Sequence, residues 1–316
     1  MILIFSIHGD PSTNEVVDWL QFNEKEVHRI NSIRELQSFF QTQWNIGGKE
    51  NSIEKEFENI KSIWYRRRPF PSLGLKIVDN IVTNEDINYF YESEQHALFT
   101  SFCEFLAKKK WLSHYSNSRI NKIFQLISAQ KVGLNIPQTK IITAKKDLIN
   151  LVKQKKVIIK PIQDTSFIHI DNKAYLQYTN QLSLSLINRL SDTIFPCLTQ
   201  ELINKNLEIR SFFIDNKIYS MAICSSFDKQ TSLDFRRYNH AHPNRKVPYK
   251  LPLIIEEKLI SLMAILKLNT GSIDIILDQY GEYYFLEVNP VGQFGMISKP
   301  CNYNLEKIIA EYLGTE

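Results

Sequence analysis

Residues 271–290 read GSIDIILDQYGEYYFLEVNP, and the pattern of apolar residues in this stretch is the strongest structural signal of the chain. Two apolar runs, Gly271–Leu277 and Tyr283–Val288, flank a short polar segment that contains Gly281. Apolar runs of this length, separated by a few residues with a glycine among them, are typical of paired strands. The sequence therefore predicts a β-hairpin close to the C-terminus.

This hairpin carries side chains with oxygen donors. Side chains along a strand alternate between its two faces, so Glu287 and Asn289 point the same way, and Asp274 on the paired strand can share that face. Carboxylate and amide oxygens suit Mg²⁺, which binds a few carboxylates together with phosphate oxygens. Spacing alone leaves two interpretations open: a magnesium site formed by Asp274, Glu287 and Asn289, or surface carboxylates on an edge hairpin.

Composition and charge exclude several classes of protein. The chain has 316 residues, of which 43% are hydrophobic and 23% charged, which predicts a soluble protein of two or three domains. A formal net charge of +4 is too small to indicate nucleic-acid binding, although it is compatible with an acidic partner. The four cysteines form no C-x-x-C pair and predict no disulfide or metal framework: Cys103, Cys197, Cys224 and Cys301.

The N-terminus predicts a buried strand. Residues Ile2–Ile7 are apolar, but the run stops at His8 and lacks the basic segment and cleavage site of a secretory signal. No apolar run approaches the roughly 20 residues of a membrane helix. We therefore expect a cytoplasmic protein with no membrane or nucleic-acid partner.

Several segments, taken together with the hairpin, resemble the ATP-grasp ligases, in which an Asp on one strand and a Glu-x-Asn on the next hold two magnesium ions. They follow the family's order: Asn121-Lys122, Val157-Ile-Ile-Lys-Pro161, Gln200-Glu-Leu-Ile203, Glu208-Ile-Arg210 and Asp234-Phe-Arg236. The resemblance covers about residue 111 to the C-terminus. It implies an α/β ATP-grasp fold, with ATP and Mg²⁺ as cofactors. The expected domains are an N-terminal α/β domain (1–110), a central lid (111–203) and a C-terminal catalytic domain (204–316).

The same resemblance implies roles for individual residues. Lys122 and Lys160 would bind the ATP phosphates. Glu201 and Ile203 would bracket the adenine, largely through backbone groups. The remaining implied residues are Glu208, which would accept from the ribose hydroxyls, and Arg210 and Arg236, which would neutralise the transferred phosphoryl group and the acyl phosphate.

Each of these residues also has an ordinary structural interpretation. A lysine before a strand-ending proline is usually solvated, although Lys160 follows the apolar residues 157–159. Ile203 is equally suited to a core, Glu208 to a salt bridge at the start of a strand, and Arg210 and Arg236 to structural ion pairs. One departure from the family concerns the segment after Lys160, because residues 161–173 contain no glycine. Many ATP-grasp enzymes have a glycine-rich loop there that covers the phosphates, for which the hydroxyls of Thr165 and Ser166 are candidate substitutes.

Within the superfamily, the chain is similar to the graspetide synthetases of the grasp-with-spasm branch, which cyclise ribosomal precursor peptides. The segments that carry this similarity are Ser62-Ile-Trp-Tyr-Arg-Arg67, Val247-Pro-Tyr-Lys-Leu-Pro252, Asn289-Pro-Val-Gly-Gln-Phe294 and Cys301-Asn-Tyr303. The similarity implies an ATP-dependent macrocyclase. It would activate Asp or Glu side chains of a precursor as acyl phosphates, for ester or amide formation with Ser, Thr or Lys.

Two alternatives remain open at this stage. One is an ATP-grasp ligase of the glutamate-adding type, and the other is an inactive, nucleotide-dependent peptide-binding module. The implied partner of the macrocyclase is a precursor peptide with a leader and an acidic core, with a homodimer as an alternative to a monomer. Some of Arg66, Arg67 and Arg68 would meet that peptide.

Overall fold

The computed structural model describes residues 1–39, 57–67, 85–162, 167–170, 173–176, 179–226, 228, 230–231, 233–235, 237 and 239–315. These residues form two compact units. The first unit combines residues 1–118 with residues 304–316, and the second contains residues 119–303. None of the helices in the described ranges is long and apolar enough to cross a membrane.

The helices and strands of the described residues are numbered in chain order. The helices are α1 (Pro11–Phe22), α2 (Ile33–Phe39), α3 (Glu85–Phe105), α4 (Lys122–Lys131), α5 (Lys145–Gln154), α6 (Leu184–Asn188), α7 (Leu253–Ile265), α8 (Gly295–Cys301) and α9 (Leu305–Gly314). The strands are β1 (Ile2–Phe5), β2 (Val27–Ile30), β3 (Ser62–Tyr65), β4 (Lys110–Leu112), β5 (Thr139–Ala144), β6 (Val157–Lys160), β7 (Phe167–Ile170), β8 (Lys173–Leu176), β9 (Asn180–Gln181), β10 (Thr193–Glu201), β11 (Lys205–Ile214), β12 (Lys217–Cys224), β13 (Arg245–Tyr249), β14 (Thr270–Asp278) and β15 (Tyr283–Asn289).

The first unit contains a parallel sheet in the order β2-β1-β3-β4. All four residues of the central strand β1 are buried, as expected for a parallel strand covered on both faces. Phe5 packs edge-on against Phe99 and Phe102 of α3, with ring centroids 5.3 and 6.3 Å apart. The apolar N-terminal run is thus a core strand, as predicted.

The C-terminal helix α9 packs in the first unit. Its apolar side chains Ile309 and Leu313 are buried, and the buried Ser62 hydroxyl of β3 donates to the Leu313 carbonyl at 2.7 Å. The sequence prediction had placed this segment with residues 204–316, since nothing in its local pattern indicates a partner near the N-terminus. The three predicted domain boundaries themselves stay a prediction.

The second unit contains two larger sheets and a hairpin. The first sheet has the order β5-β10-β6-β9 and the second has the order β13-β12-β11-β14-β15, while β7 and β8 pair with each other. All of these pairings are antiparallel. The chain passes from the first sheet to the second between Glu201 and Lys205.

The two faces of the five-stranded sheet differ in chemistry. On one face, Ile209, Ile273 and Val288 belong to a core that also contains residues of α4 and α7. Because side chains alternate, the opposite face carries Glu208 and Arg210 from β11, with further polar side chains from β14 and β15. The sheet therefore has an apolar support beneath a polar surface.

Local signals place the ends of these elements. Asn121 caps α4, because its side-chain oxygen accepts hydrogen bonds from the backbone N–H groups of residues 123 and 124. The helix therefore begins at Lys122. The turn Asp215-Asn216 joins β11 to β12, and both residues have positive φ, as a two-residue hairpin turn of type I′ requires.

Candidate active site

The C-terminal hairpin brings the predicted oxygen donors onto one face. Asp274 lies directly opposite Glu287, and Ser272 lies opposite Asn289. Asp274 and Glu287 are half-buried, while Asn289 is exposed. The described residues contain no cluster of three or more His, Cys, Asp or Glu that would hold a metal by itself. Two carboxylates and an amide would therefore need phosphate oxygens or water to complete the coordination of magnesium.

Each of the two carboxylates has a cation beside it. Nη1 of Arg210 donates to both oxygens of Asp274, at 2.8 and 3.1 Å. Nζ of Lys122, on the first turn of α4, lies 3.1 Å from Oε2 of Glu287. The ion pair foreseen for Arg210 is thus present, and it lies on the wall of a cleft. These pairs fix two cations beside the oxygens that a metal would use.

A cleft within the second unit runs from these charges to an apolar end. Lys160, the last residue of β6, lines it together with Lys122, and Glu201 and Ile203 line it where the two sheets join. The apolar residues that line the cleft include Ile158, Leu202, Ile203, Ile276 and Leu286. The backbone N–H of Leu202 is bonded to the carbonyl of Lys156 at 2.9 Å. The arrangement provides an apolar slot at one end and cations at the other.

Glu208 is a buried carboxylate of the cleft wall. Its Oε1 accepts from Nζ of Lys205, which also reaches the Thr231 carbonyl at 3.4 Å. Burial raises the pKa of Glu208 to about 7, because it penalises the charged form more than the Lys205 ammonium favours it. The nearby Asp274 and Asp234 add like charge and raise this pKa as well.

The cleft fits a nucleotide with magnesium. Among the described residues, three buried polar atoms of the cleft walls have no hydrogen-bond partner: Gln200 Oε1, Glu208 Oε2 and Arg210 Nε. Buried polar atoms normally have partners, so these atoms suit a ligand that supplies hydroxyls and anionic oxygens. A purine suits the apolar slot, a ribose suits Glu208, and a phosphate chain suits Lys122, Lys160 and Arg210.

Sequence reasoning missed Lys205 and Arg237 and gave Asp234 no role of its own. Asp234 is buried in the cleft wall and accepts from the backbone N–H of Thr179 at 3.3 Å. Arg237 donates to the Thr179 carbonyl at 3.1 Å and to the side chain of Asn180. The partners of Asp234 and Arg237 lie more than 50 residues away in sequence, so no local pattern distinguishes these two residues from solvated charges.

Some predicted residues lie elsewhere or outside the described residues. Arg236, Thr165 and Ser166 are outside the described ranges, as is Arg68. Arg66 is only 2% exposed, and its Nε donates to Asp10 at 3.2 Å within the first unit. Burial and the neighbouring Arg67 lower the pKa of Arg66 to about 10. Arg66 thus ties the end of β3 to the start of α1.

Comparisons with known proteins agree with this site. The RimK-like ATP-grasp domain family matches residues 117–313, well over half of the chain. The chain therefore belongs to the RimK-like ATP-grasp family. This membership confirms the predicted ATP-grasp fold and, at the level of the family, the prediction of an ATP-dependent ligase that uses magnesium. A comparison with curated protein sequences found no match.

Solved structures with the same fold include three ligases that process peptides. The macrocyclase MdnC of Microcystis aeruginosa MRC, bound to its precursor peptide MdnA, is 23% identical with a TM-score of 0.77, covering 99% of both chains. A RiPP-associated ATP-grasp ligase of Chryseobacterium gregarium, in complex with ADP and a leader and core peptide, is 22% identical with a TM-score of 0.75, covering 99% of this chain and 94% of that one. The ligase PsnB, complexed with minimal precursor, Mg and ADP, is 16% identical with a TM-score of 0.75, covering 99% and 96%. At these identities, the matches establish a shared fold.

Proposed function

We propose that this chain is an ATP-dependent macrocyclase of a ribosomal precursor peptide. The observation that carries the proposal is the charged end of the cleft, where Asp274 and Glu287 face each other beside Arg210, Lys122 and Lys160. Carboxylates beside cations at the end of an apolar slot suit the transfer of a phosphoryl group, a reaction in which positioning and electrostatics do most of the work.

The proposed residues have separate tasks. Asp274, Glu287 and Asn289 would hold magnesium, which supplies charge neutralisation at the phosphate oxygens. Lys122 and Lys160 would bind the phosphates, and Glu201, Ile203 and Glu208 would bind adenosine. Arg210, and Arg236 from outside the described residues, would stabilise charge on the phosphoryl group and on the activated carboxylate.

The proposed reaction needs no protein nucleophile. The γ-phosphoryl group of ATP passes to an Asp or Glu carboxylate of the peptide, and ADP leaves. A Ser or Thr hydroxyl or a Lys amine of the same peptide then attacks the acyl carbon. An ester or amide forms, and phosphate and a proton are released. Each ring therefore removes one water from the peptide, at the cost of one ATP.

Two observations favour a peptide substrate with an acidic core. The structural match to peptide ligases covers 99% of this chain, including the first unit, with TM-scores of 0.75–0.77. D-cycloserine synthetase DcsG, which is named for a small-molecule product, has a TM-score of 0.53 at 11% identity. The cations of the cleft suit the carboxylates of such a core.

The proposal places the enzyme in the cytoplasm, as a monomer or a homodimer. Size-exclusion chromatography would distinguish these two oligomeric states.

Mass spectrometry of a candidate peptide, incubated with enzyme, ATP and magnesium, tests the proposal. The best candidate is a short acidic peptide rich in Thr or Lys that is encoded beside this gene. We expect a mass loss of one water per ring. A mass gain would indicate the alternative, a ligase that adds amino acids, and ADP formation from free amino acids without peptide would exclude the macrocyclase.

Glu287→Gln tests the metal site within the same assay. Losing the charge of a carboxylate that would hold magnesium should reduce turnover by at least about 100-fold. The fold should survive, because Glu287 is half-buried on a polar face. Glu282→Gln, in the turn of the same hairpin, is the matched control and should turn over normally. Normal turnover of a folded Glu287→Gln protein would refute the assignment of the metal site.

A further inference from the structure

A second groove in the second unit adjoins the nucleotide cleft. It has a volume of about 810 Å³, and its walls include Arg119, Lys122, Lys160, Phe195 and Pro196. Lys122 and Lys160 line both the groove and the cleft. An occupant of the groove would therefore lie against the same two lysines as the phosphate chain of a nucleotide.

The position of the groove along β10 places it at the phosphate end of the cleft. Glu201 closes β10 at the proposed adenine end, and Lys160 pairs with Leu198, three residues earlier. At roughly 3.4 Å per residue, Lys160 is about 10 Å and Phe195 about 20 Å from the adenine end. The order along the strand is adenine, phosphates and then groove. This is the position that an acceptor of the γ-phosphoryl group must occupy.

Two residues of the groove have no structural task of their own. Phe195 is 88% exposed although it lies within a strand. Arg119 is exposed, and it forms no ion pair or hydrogen bond with any residue in the described ranges. An exposed aromatic ring and an exposed guanidinium on the walls of one groove contribute little to the stability of the fold, whereas both groups are common anchors in binding surfaces.

The charge of the groove selects its occupant. Three cations line it, Arg119, Lys122 and Lys160, while none of the described residues on its walls is an Asp or Glu. One of these cations, Lys122, is already paired with Glu287. The charge of Arg119 is complementary to a carboxylate, and a guanidinium binds a carboxylate through two parallel hydrogen bonds.

We propose that this groove seats the reacting segment of an acidic peptide, with Arg119 binding a carboxylate and Phe195 contacting an adjacent apolar side chain. The inference rests on the proposed function and adds the residues that select the substrate. Phe195 and Arg119 are specificity residues in this proposal, because they touch the peptide and not the nucleotide.

A binding experiment with defined probes tests the groove independently of turnover. The probes are two fluorescein-labelled decapeptides of Thr, Lys and Gly that are identical except for a central Phe-Glu or Phe-Gln pair. Fluorescence anisotropy is measured with the full chain, ADP and magnesium. We expect the Phe-Glu peptide to bind about tenfold more tightly, a typical effect of one charge-assisted contact.

Variants of the groove residues show which side chain causes this preference for the Phe-Glu peptide. Arg119→Gln should remove the preference for Glu over Gln, and Phe195→Ser should weaken both peptides about equally. The matched controls are Lys131→Gln, at the exposed far end of α4, and Leu253→Ser, at a 70% exposed apolar position of α7. ADP affinity should stay within twofold in all four variants.

The outcomes separate the groove from the proposed function. Equal binding of the two peptides by the unaltered protein, or a preference that survives in Arg119→Gln, overturns the groove. Loss of water from a precursor at normal rate in both groove variants overturns it as well. A protein that prefers the Phe-Glu peptide through Arg119 but never dehydrates a precursor would support the proposed groove and contradict the proposed macrocyclase.

Discussion

At the scale of single residues, the buried pair of Glu208 and Lys205 makes stability depend on pH. Between the ordinary pKa of 4.5 and the raised value of about 7, the folded protein binds more protons at Glu208 than the unfolded chain does. The stability of the protein without ligand should therefore fall as pH rises through this window. The free energy of unfolding should decrease by at most about 3 kcal/mol. The positive charge of Lys205 reduces this decrease, and the negative charges of Asp234 and Asp274 increase it.

Thermal unfolding between pH 5 and pH 8, without nucleotide, measures this effect. Glu208→Gln should flatten the pH dependence, because an amide does not titrate, and it should also weaken ATP binding, because a neutral amide oxygen replaces the carboxylate as the proposed ribose acceptor. Glu201→Gln is the control, since that side chain is 31% exposed and its variant should keep the unaltered slope. An unchanged slope in Glu208→Gln would mean that another group causes the dependence.

The candidate site was predictable from sequence only where local patterns identify residues. Alternation along two strands placed Asp274, Glu287 and Asn289 on one face. Lys205 gave no such signal, because a lysine at the start of a strand is normally solvated. Its burial follows from the pairing of β11 with β14 and from the loop at Thr231, which are properties of the assembled unit.

At the scale of elements, Gly292 lies in the turn after β15, the strand that carries Glu287 and Asn289. A Cβ atom at Gly292 would lie 2.4 Å from Cβ of Ser272, the residue opposite Asn289. Gly292→Ala should therefore push the turn away from β14. We expect a destabilisation of about 1–3 kcal/mol and, because Asn289 moves with the turn, weaker magnesium-dependent nucleotide binding.

Calorimetry and nucleotide titrations in magnesium check this expectation. The control is Gly281→Ala in the turn of the same hairpin, where a Cβ would meet nothing within 4 Å but φ is +89°. That change should cost about 1 kcal/mol through backbone strain and leave magnesium-dependent binding intact. Equal effects of the two variants on nucleotide binding would contradict a special role for the turn at Gly292.

Element boundaries could be predicted where the chain carries a local signal. The Asp215-Asn216 turn and the β14–β15 hairpin lie where turn residues interrupt apolar runs. The short strands β4 and β13 have no such signal. Both are strands because a neighbouring strand is available to pair with them, and such long-range partners cannot be recognised in the local pattern.

At the scale of the whole molecule, the first unit depends on the last helix of the chain. Four side chains of α9 are almost completely buried, namely Leu305, Ile309, Ala310 and Leu313. Deleting residues 304–316 should cost the first unit several times the roughly 1.5–3 kcal/mol of one buried Leu or Ile side chain. We expect this unit to unfold while the nucleotide cleft, formed within residues 119–303, still binds ADP.

Hydrogen exchange monitored by mass spectrometry, with and without ADP, reports on each unit separately. Protection should disappear from β1 and β3 in the truncated chain and persist, with its response to ADP, in β11 and β14. Glu311→Ala, at a 54% exposed position of α9, should leave both units protected. Full protection of β1 after truncation would show that α9 is dispensable.

The bond from Ser62 to Leu313 also bears on the order in which the protein is made. A ribosome releases Ser62 early, yet the carbonyl that satisfies its buried hydroxyl lies 251 residues later. All of the second unit is synthesised in between, and it can fold from its own residues while the chain is still growing. Synthesis of the first unit therefore begins before that of the second unit and ends after it. A chain stalled between residue 303 and α9 would carry an unfinished first unit, exposed to chaperones and proteases, together with a second unit whose cleft is already assembled.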